Sequence, residues 1–392
     1  MNSKERHEAR YQRRKARRES INKERAEQVK WEDVFGLLPL CKGYKTCAKA
    51  SKNRNQTQIW MSNLVTNARK EQKRLEEGRW KSRGFHNFVI KERGKWRNIQ
   101  SVHISEKGIQ SSLSNNYLIP ILTPHLIYDN GASLKGKGTD FSLKRLEKHL
   151  RDHIRQYGTT GGIYFFDFKG YFSTIPHERL IEKVGNLAGD EAITETYRVF
   201  VDAFGGSGLG LGSQISQISA VFYPNSADHL IKDRFGVKGY ARHMDDGYII
   251  HQDIEELKKI SKIFEEHCES IGLTMNRKKC QIIKIDKPFR FLKVRFFISG
   301  ERIIKRQSRE TAKRERQRLK AYAEFCKMGL MTQKEAYLNF HSWILAQKGR
   351  CYHMKLNMIR YYNSLFIEPY EPPKIKTRKQ KVLKHIALEA RK

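Results

Sequence analysis

The sequence has few cysteines, no long apolar run and comparatively few acidic residues, and each shortage excludes a class of protein. Its six cysteines, at positions 41, 47, 268, 280, 326 and 351, lack the Cys-x-x-Cys pairs that zinc sites use. They are expected to be reduced thiols, although Cys41 and Cys47 could form a local metal or redox pair. No stretch of about twenty apolar residues occurs, and residues 1–30 are too charged for a signal-peptide core. A cytoplasmic protein without a membrane anchor is therefore expected.

Because basic residues outnumber acidic ones, the chain has a large net positive charge. There are 77 Lys and Arg against 42 Asp and Glu, a net charge of +35 over 392 residues. Such a charge repels itself unless a polyanion offsets it, and binding to nucleic acid would release counterions and weaken with salt. Nucleic acid is the expected partner. A generic basic protein of the ribosomal or histone type is the alternative that charge alone leaves open.

Apolar periodicity and turn residues outline the first half of the chain. Residues 1–30 alternate basic and acidic side chains, which fits a solvated helix or a disordered arm. Two strands, 88–90 and 96–102, flank a polar loop that contains Gly94, which predicts a hairpin. Helices are expected over 107–126 and 141–157.

One carboxylate interrupts an apolar strand. The run from Gly162 to Phe168 is apolar and aromatic except for Asp167. A charged Asp buried among aromatic rings is costly unless it is paired or binds a metal, so the strand presents Asp167 to a site. The alternative is that Asp167 caps the helix whose start is marked by Pro176 and Glu178.

A second carboxylate site lies in the segment 237–251. Two short strands flank Asp245-Asp246-Gly247, and the Asp-Gly step favours a tight turn at that point. Adjacent aspartates repel each other unless divalent cations neutralise them. Phosphoryl transfer with two Mg²⁺ ions about 4 Å apart needs carboxylates from separate strands, which Asp167 and this pair would supply if the strands are neighbours. A plain hairpin remains the alternative.

The order of these elements resembles the reverse transcriptase family. The resemblance extends from about Phe88 to Tyr362, with His243-Met244-Asp245-Asp246 standing where that family has Tyr-x-Asp-Asp. It implies an α+β right-hand polymerase fold with fingers, a palm of antiparallel sheet with packed helices, and a helical thumb. The implied domains are a basic N-terminal extension, partly helical or disordered (1–80), fingers and palm (81–300), the thumb (301–370) and a basic tail (371–392).

The resemblance also assigns roles around the metals. Asp167 and Asp245 would be the main metal ligands, Asp246 a weaker or alternative one, and the backbone carbonyl of Phe168 would complete a metal shell. Phe172 would lie under the nucleotide sugar and exclude a 2′-hydroxyl, which implies selection of dNTPs; ordinary core packing is its alternative.

Two further segments would contact the incoming nucleotide. Arg97 resembles the fingers residue that holds the triphosphate, with Lys91 as a second candidate or a solvated surface charge. The segment Gly208 to Gln217 resembles the element beneath the nascent base pair. Its Gly212-x-x-x-Ser216-Gln217 pattern is similar to that of diversity-generating retroelement enzymes, within a wider likeness to group II intron-like reverse transcriptases, and implies low fidelity.

The remaining motifs lie towards the C-terminus. Lys279, or its neighbour Lys278, would protonate pyrophosphate as general acid, and Phe291-Leu292-Lys293 resembles a primer-grip turn that usually ends in Gly. Basic helical patterns over 302–320 and 337–362 fit a thumb that grips an RNA–DNA duplex, or a helical pair that supports an oligomer.

Together these features predict an RNA-directed DNA polymerase that adds dNTPs to a primer 3′-hydroxyl with Mg²⁺, or alternatively Mn²⁺. Its partners would be an RNA template and a DNA or RNA primer, and an accessory protein or oligomer is compatible with the sequence. The setting would be a retroelement, a diversity-generating system or anti-phage defence. The rival hypothesis is a basic RNA-binding scaffold whose polymerase site is vestigial.

Overall fold

The computed structural model describes residues 3–92, 95–347, 351–372 and 378–390. Contacts divide the chain into two compact units, residues 1–153 with 161–283 and residues 154–160 with 284–392. Within the described ranges, no helix combines the length and apolar character needed to cross a bilayer.

Helices make up most of the chain before residue 284. The segment predicted as a helix or a disordered arm is helical from Ser3 to Glu27. The helix expected over 107–126 is divided by a π-helical turn at Ser114–Leu118, just before Pro120, whose nitrogen cannot donate a hydrogen bond. In order, the helices are α1 (Ser3–Glu27), α2 (Trp31–Phe35), α3 (Leu37–Ala48), α4 (Asn55–Ser62), α5 (Leu64–Glu76), α6 (Ile104–Leu113), α7 (Ile119–Leu122), α8 (Thr139–Tyr157), α9 (Tyr171–Thr174), α10 (His177–Gly185), α11 (Glu191–Asp202), α12 (Gln214–Phe222), α13 (Asn225–His229) and α14 (Ile254–Ser270).

Helices α3 and α6 cross at a pair of glycines. A Cβ atom at Gly43 would overlap the carbonyl oxygen of Gly108, and one at Gly108 would overlap the ring of Tyr44. The Tyr44 hydroxyl donates to the carbonyl of Ser105 at 2.9 Å. Because the two backbones approach this closely, the N-terminal helices are held against the start of α6.

An antiparallel sheet forms the centre of the first unit. Its order is β4 (Tyr240–His243), β5 (Asp246–His251), β3 (Gly162–Asp167) and β6 (Gln281–Lys284). Every residue of β3 is buried, and Phe166 packs on Phe264 of α14 with 4.6 Å between ring centroids. This mixture of helices and antiparallel sheet confirms the α+β class expected from the sequence.

The predicted hairpin is present and longer than expected. Strands β1 (His86–Glu92) and β2 (Lys95–Ser101) pair antiparallel, with His86 opposite Ser101 and Lys91 opposite Trp96. The loop residues Arg93 and Gly94 lie outside the described residues.

In its described residues, the second unit combines a three-stranded sheet with four helices. The strands are β7 (Phe289–Phe291), β8 (Val294–Ser299) and β9 (Arg302–Gln307), and the helices are α15 (Arg309–Lys327), α16 (Gln333–Ala346), α17 (Tyr352–Asn363) and α18 (Arg378–Glu389). The prediction of helix from residue 302 is wrong for its first six residues. Gly300, at φ +55°, lies in a tight turn that folds Arg302 back opposite Ser299 as a strand.

The segment predicted as a basic tail also contains structure. In α18, Leu383 and Ile386 are buried in the core of the second unit with Phe340 and Tyr362. Residues 373–377 and 391–392 of this segment lie outside the described residues.

Residues 292 and 293 form the turn between β7 and β8. Leu292 has φ +45° and Lys293 has φ +68°, so both occupy the left-handed region that favours glycine. Glycine adopts this region without strain, whereas Lys293, at the position that the similar family motif usually fills with Gly, adopts it at a cost in strain.

Candidate active site

Two of the three aspartates lie opposite each other on paired strands. Strands β3 and β5 pair antiparallel, with Asp167 directly opposite Asp246. The amide of Phe168 donates to the carbonyl oxygen of Asp245 at 3.2 Å, which places Asp245 beside the end of β3. The two strands are therefore neighbours, as the metal-site hypothesis requires.

The turn that carries Asp245 differs from the expected one. The pairing of His243 with Asp246 leaves Met244 and Asp245 as the two turn residues, so the prediction of a turn at Asp246-Gly247 is wrong. Met244 has φ +60° and takes the strained position itself. Gly247 lies within β5, where a Cβ atom would overlap the ring of Phe166. Its glycine is explained by close packing rather than by a turn.

His243 stands at the position that is aromatic in the similar family. Its ring nitrogen Nδ1 lies 2.8 Å from the hydroxyl of Ser142 in α8. Burial lowers the pKa of His243, so the ring is neutral at neutral pH. This departure from the family pattern therefore adds no charge beside the carboxylates.

A buried ion pair supports the turn from beneath. Arg242 in β4 donates from Nε and Nη2 to the two carboxylate oxygens of Asp228, at 2.8 and 2.6 Å, and both side chains are fully buried. The Tyr240 hydroxyl donates to the same carboxylate at 2.6 Å. Arg242 Nη1 also donates to the carbonyl of Met244 at 3.0 Å, so the pair is joined directly to the strained turn.

Two side chains from the segment after α14 hold Asp167. Lys279 Nζ lies 2.5 Å from Asp167 Oδ2, and Asn276 Nδ2 donates to Oδ1 at 2.7 Å. The Asn276 amide also donates to the Asp167 carbonyl at 2.8 Å. Lys279, and not Lys278, makes the contact. The sequence did not identify Asn276, although its place three residues before Lys279 was a usable signal.

Burial and the crowding of like charges together set the pKa values of the site. Burial and the charge of Asp167 raise the pKa of Asp245, which Lys279 and Arg97 partly offset. Burial and the charges of Asp245 and Asp167 raise the pKa of Asp246 well above its usual range. Burial alone would lower the pKa of Lys279, but its bond to Asp167 and the nearby carboxylates raise it.

The donor atoms suit a hard divalent cation. Carboxylate oxygens are the ligands that Mg²⁺ and Mn²⁺ take. Burial and the neighbouring carboxylates raise the pKa values of Asp245 and Asp246, and a bound cation would offset both effects. In the part of the chain that the structure describes, no group of three or more His, Cys, Asp or Glu side chains is arranged to hold a metal ion. The residues fit the metal in kind, without forming a closed cage around it.

Arg97 and Lys91 lie on opposite faces of the hairpin. Arg97 is opposite Ile90 and Lys91 is opposite Trp96, and neighbouring positions of a strand alternate between faces. The charge of Arg97 lowers the pKa of Asp245, so the two groups are near enough to interact electrostatically. Lys91 lies 5.2 Å from the centre of the Trp96 ring. The structure thus brings together Arg97 and the aspartates, and does not add Lys91 to them.

The glycine-rich segment lies against strand β2. The amide of Gln100 donates to the carbonyl of Leu211 at 3.1 Å. Gly212 has φ +112° and is exposed, and a Cβ atom there would lie 3.3 Å from the side chain of Ile99. Only glycine adopts this conformation readily, and its exposed backbone leaves room for a ligand to approach.

Helix α12 begins directly after this segment. The Ser213 hydroxyl accepts from the amide of Ser216 and caps the helix. Ser216 is fully buried, whereas Gln217 is exposed. Of the two residues that close the motif, only Gln217 is accessible to a ligand.

Phe168 and Phe172 differ in how far their rings are buried. The Phe168 ring is buried and stacks on Tyr171 at 5.2 Å, so only its backbone could face a ligand. The Phe172 ring is half-buried, and its carbonyl accepts from the amide of Leu209 at 2.5 Å. Phe172 therefore lies between the end of β3 and the glycine-rich segment.

Comparisons with known proteins agree with the sequence motifs. The family described as "Reverse transcriptase (RNA-dependent DNA polymerase)" matches residues 89–296, more than half of the chain. No curated protein matches the chain.

Among solved structures, telomerase from Candida albicans in complex with a TWJ fragment of telomeric RNA is 13% identical, with a TM-score of 0.45 over 79% of this chain and 62% of that chain. Telomerase from Candida tropicalis with the same kind of fragment is 13% identical, with a TM-score of 0.46 over 71% and 54%. Apo telomerase from Candida tropicalis, truncated from its C-terminal domain, is 14% identical, with a TM-score of 0.44 over 57% and 55%. The chain thus spans between about half and three-fifths of these proteins.

Replacing Arg242 by Met should destabilise the protein strongly. The change leaves the Asp228 carboxylate buried without its cation, which costs about 3–5 kcal/mol of unfolding free energy. Denaturant unfolding monitored by circular dichroism measures the loss. The control is Lys258→Met, which removes an exposed Lys258–Glu255 pair in α14 and should change stability by less than about 1 kcal/mol. Equal losses in the two variants would contradict the role assigned to Arg242.

Proposed function

The chain belongs to the reverse transcriptase (RNA-dependent DNA polymerase) family, and on that basis we propose that it copies an RNA template into DNA by adding dNTPs to a primer 3′-hydroxyl. The observation that carries the proposal is the pairing of Asp167 with Asp246, with Asp245 in the adjoining turn. A carboxylate set at the joined ends of two strands is what two-metal phosphoryl transfer requires.

The proposed metal ligands are Asp167, Asp245, Asp246 and the backbone carbonyl of Phe168. Bound Mg²⁺ or Mn²⁺ would supply activation of the primer hydroxyl and neutralisation of the leaving pyrophosphate. Asn276 orients the Asp167 carboxylate through its 2.7 Å hydrogen bond.

Other residues of the chain would handle the nucleotide. Arg97 would hold the triphosphate, since its charge already reaches Asp245 and its planar group can bond two phosphate oxygens. Lys279, in contact with Asp167, would donate a proton to pyrophosphate. Gly212 and Gln217 would lie against the nascent base pair. Lys91 would be the second candidate for holding the triphosphate, from the opposite face of the hairpin.

The second unit contributes a basic groove that suits the backbone of a primer–template duplex. Arg309, Lys313, Arg316 and Lys320 recur on one face of α15 and line a cavity of about 730 Å³ against α17. Arg316 lies over the Tyr361 ring at 5.5 Å. This lining supports the proposed thumb over residues 301–370, with an oligomer contact as the alternative use of the same surface.

Replacing Asp245 by Asn should abolish primer extension. The change keeps the size of the side chain and removes the charge that a metal needs, so dNTP incorporation should fall by at least about 10²–10³-fold. Extension of a labelled primer on RNA, with Mg²⁺ and separately with Mn²⁺, measures it. Asp286→Asn, at an exposed loop carboxylate paired with Lys287, should extend normally.

The same assay discriminates the rival hypothesis of an RNA-binding scaffold. If the unmutated protein binds RNA but extends no primer with either metal, the enzyme proposal fails and the scaffold is favoured.

Replacing Phe172 by Ala should admit ribonucleotides. Without the bulky ring, the 2′-hydroxyl is no longer excluded, and the preference for dNTPs over rNTPs should fall on the order of ten- to a hundredfold. Single-nucleotide incorporation with each dNTP and rNTP gives the ratio of kcat/KM. Phe172→Tyr keeps the bulk and should keep the preference. An unchanged ratio in the Ala variant would assign Phe172 to ordinary core packing.

The biological setting of the protein is also part of the proposal. We infer a retroelement, a diversity-generating system or anti-phage defence, in the cytoplasm, and with an accessory protein or oligomer as a further partner. The diversity-generating alternative rests on the Gly212-x-x-x-Ser216-Gln217 pattern, of which the exposed Gln217 is accessible to a template base and the buried Ser216 is not.

In a diversity-generating system, copying errors would be concentrated at template adenines. Sequencing of cDNA made on a defined RNA should show an excess of errors there, and Gln217→Ala should reduce that excess. An even distribution of errors would exclude the diversity-generating alternative and leave the other two. A template and variable repeat among the neighbouring genes would be the matching genetic observation.

A further inference from the structure

A buried histidine, His177, contacts the glycine-rich segment and has no part in any step described above. It is the first residue of α10. Its ring nitrogen Nε2 lies 2.5 Å from the carbonyl oxygen of Gly208. Because a carbonyl oxygen can only accept, Nε2 carries a proton and donates it to this bond. The side chain of His177 therefore joins α10 to the start of the segment from Gly208 to Gln217.

The other ring nitrogen of His177 lacks such a bond. Nδ1 is buried and has no hydrogen-bond partner among the described residues, and the carboxylate of Asp202 lies 3.7 Å from it. A buried nitrogen without a partner lowers stability, because it has given up its bonds to water. An apolar side chain would avoid this cost but could not hold the Gly208 carbonyl. The bond to Gly208 is therefore what a histidine adds at this position.

Backbone hydrogen bonds continue the contact that His177 makes. The amide of Gly208 donates to the carbonyl of Ile175 at 2.9 Å, and the amide of Leu209 donates to the carbonyl of Phe172 at 2.5 Å. Gly208 has φ +84°, and a Cβ atom there would lie 2.8 Å from the carbonyl oxygen of Ser173. The start of the glycine-rich segment thus lies directly against the stretch of chain that carries Phe172.

His177 itself is held by its neighbours in the chain. The residue before it, Pro176, forms a bridge with Ser207, and its ring restricts the backbone at the start of α10. On another side, a Cβ atom at Gly272 would lie 2.8 Å from Pro176 Cγ. Close packing around Pro176 therefore fixes the position from which the His177 ring reaches Gly208.

The far end of the glycine-rich segment is attached to different elements. The carbonyl of Leu211 accepts from Gln100 in β2 at 3.1 Å. The Ser213 hydroxyl donates to Gln110 Oε1 in α6 at 3.0 Å. The far end is therefore held by the hairpin and α6, and only the near end is held by the stretch with Phe172. His177 acts on the near end.

We propose that His177 is a positioning residue for the incoming nucleotide. Its bond to Gly208 fixes the glycine-rich segment against residues 172–177, so that Phe172 and Gly212 keep a constant separation on either side of the nucleotide. The nucleotide as ligand rests on the proposed function. Since the His177 ring bonds a backbone carbonyl and not a reacting atom, its loss affects nucleotide binding and sugar selection more than the chemical step.

The test replaces His177 by Asn in the full chain. The shorter side chain does not reach the Gly208 carbonyl, so KM for dNTPs should rise about five- to tenfold while kcat changes by less than about twofold. The preference for dNTPs over rNTPs should fall about three- to tenfold, because the position of Phe172 relative to the segment is no longer fixed. His177→Gln places an amide nitrogen near the position of Nε2 and should restore most of both values. Single-nucleotide incorporation measures them.

A matched control separates positioning from a general loss of stability. His267 in α14 is also partly buried, and its Nε2 lies 3.0 Å from the Ser226 hydroxyl, outside the glycine-rich segment. His267→Asn removes a bond of the same kind and should leave KM and the nucleotide preference unchanged. Equal kinetic effects in the two Asn variants would overturn the proposal. So would a His177→Asn protein that is less stable in denaturant but has unchanged KM and preference.

Hydrogen exchange gives a measurement that does not depend on activity. The amides of Gly208 and Leu209 should exchange at least about tenfold faster in His177→Asn than in the unmutated protein, and at nearly the unmutated rate in His177→Gln. Unchanged exchange in the Asn variant would overturn the proposal. If the unmutated protein extends no primer, the proposed function fails and the nucleotide role of His177 with it, whereas the exchange comparison still decides whether His177 holds the segment.

Discussion

Three carboxylates lie close enough to repel one another at the joined ends of β3 and β5. The surrounding structure has to keep them in place against this repulsion. Relaxation would separate the strands or turn Asp245 away. Lys279 and Asn276 prevent this at Asp167, since both of its oxygens accept a bond from them. A bound divalent cation would act in the same direction.

The hairpin itself resists that repulsion through a second charged group. Arg242 is buried with Asp228, and such a pair gains little stability over an apolar packing of the same volume, because both charges lose their water. The pair instead fixes the geometry of the turn between β4 and β5. Its remaining nitrogen bonds the carbonyl of Met244, which has a backbone conformation that a methionine adopts only under constraint. The ion pair is therefore better explained as a support for Asp245 than as a source of stability.

Much of this arrangement could be predicted from the sequence, because strong local patterns carried it. The aromatic strand around Asp167 and the hairpin strands have unmistakable apolar runs, and the order of the aspartates led to the family. The position of the turn could not be predicted, since Asp-Gly is a good turn sequence and nothing local reveals that Gly247 packs under Phe166. Likewise, the faces of Lys91 and Arg97 depend on pairing register, and the strand at 302–307 forms only because β8 is beside it.

The same reasoning explains why the N-terminal helices had no predicted role. Their basic residues look like a solvated surface in sequence, and only the fold shows that Arg54 lies near enough to Lys107 to lower its pKa. A chain with a charge of +35 has more cations than contacts with a duplex need, and most are exposed and screened. Cations that are partly buried together interact more strongly, because the lower dielectric constant around them increases their repulsion at short range.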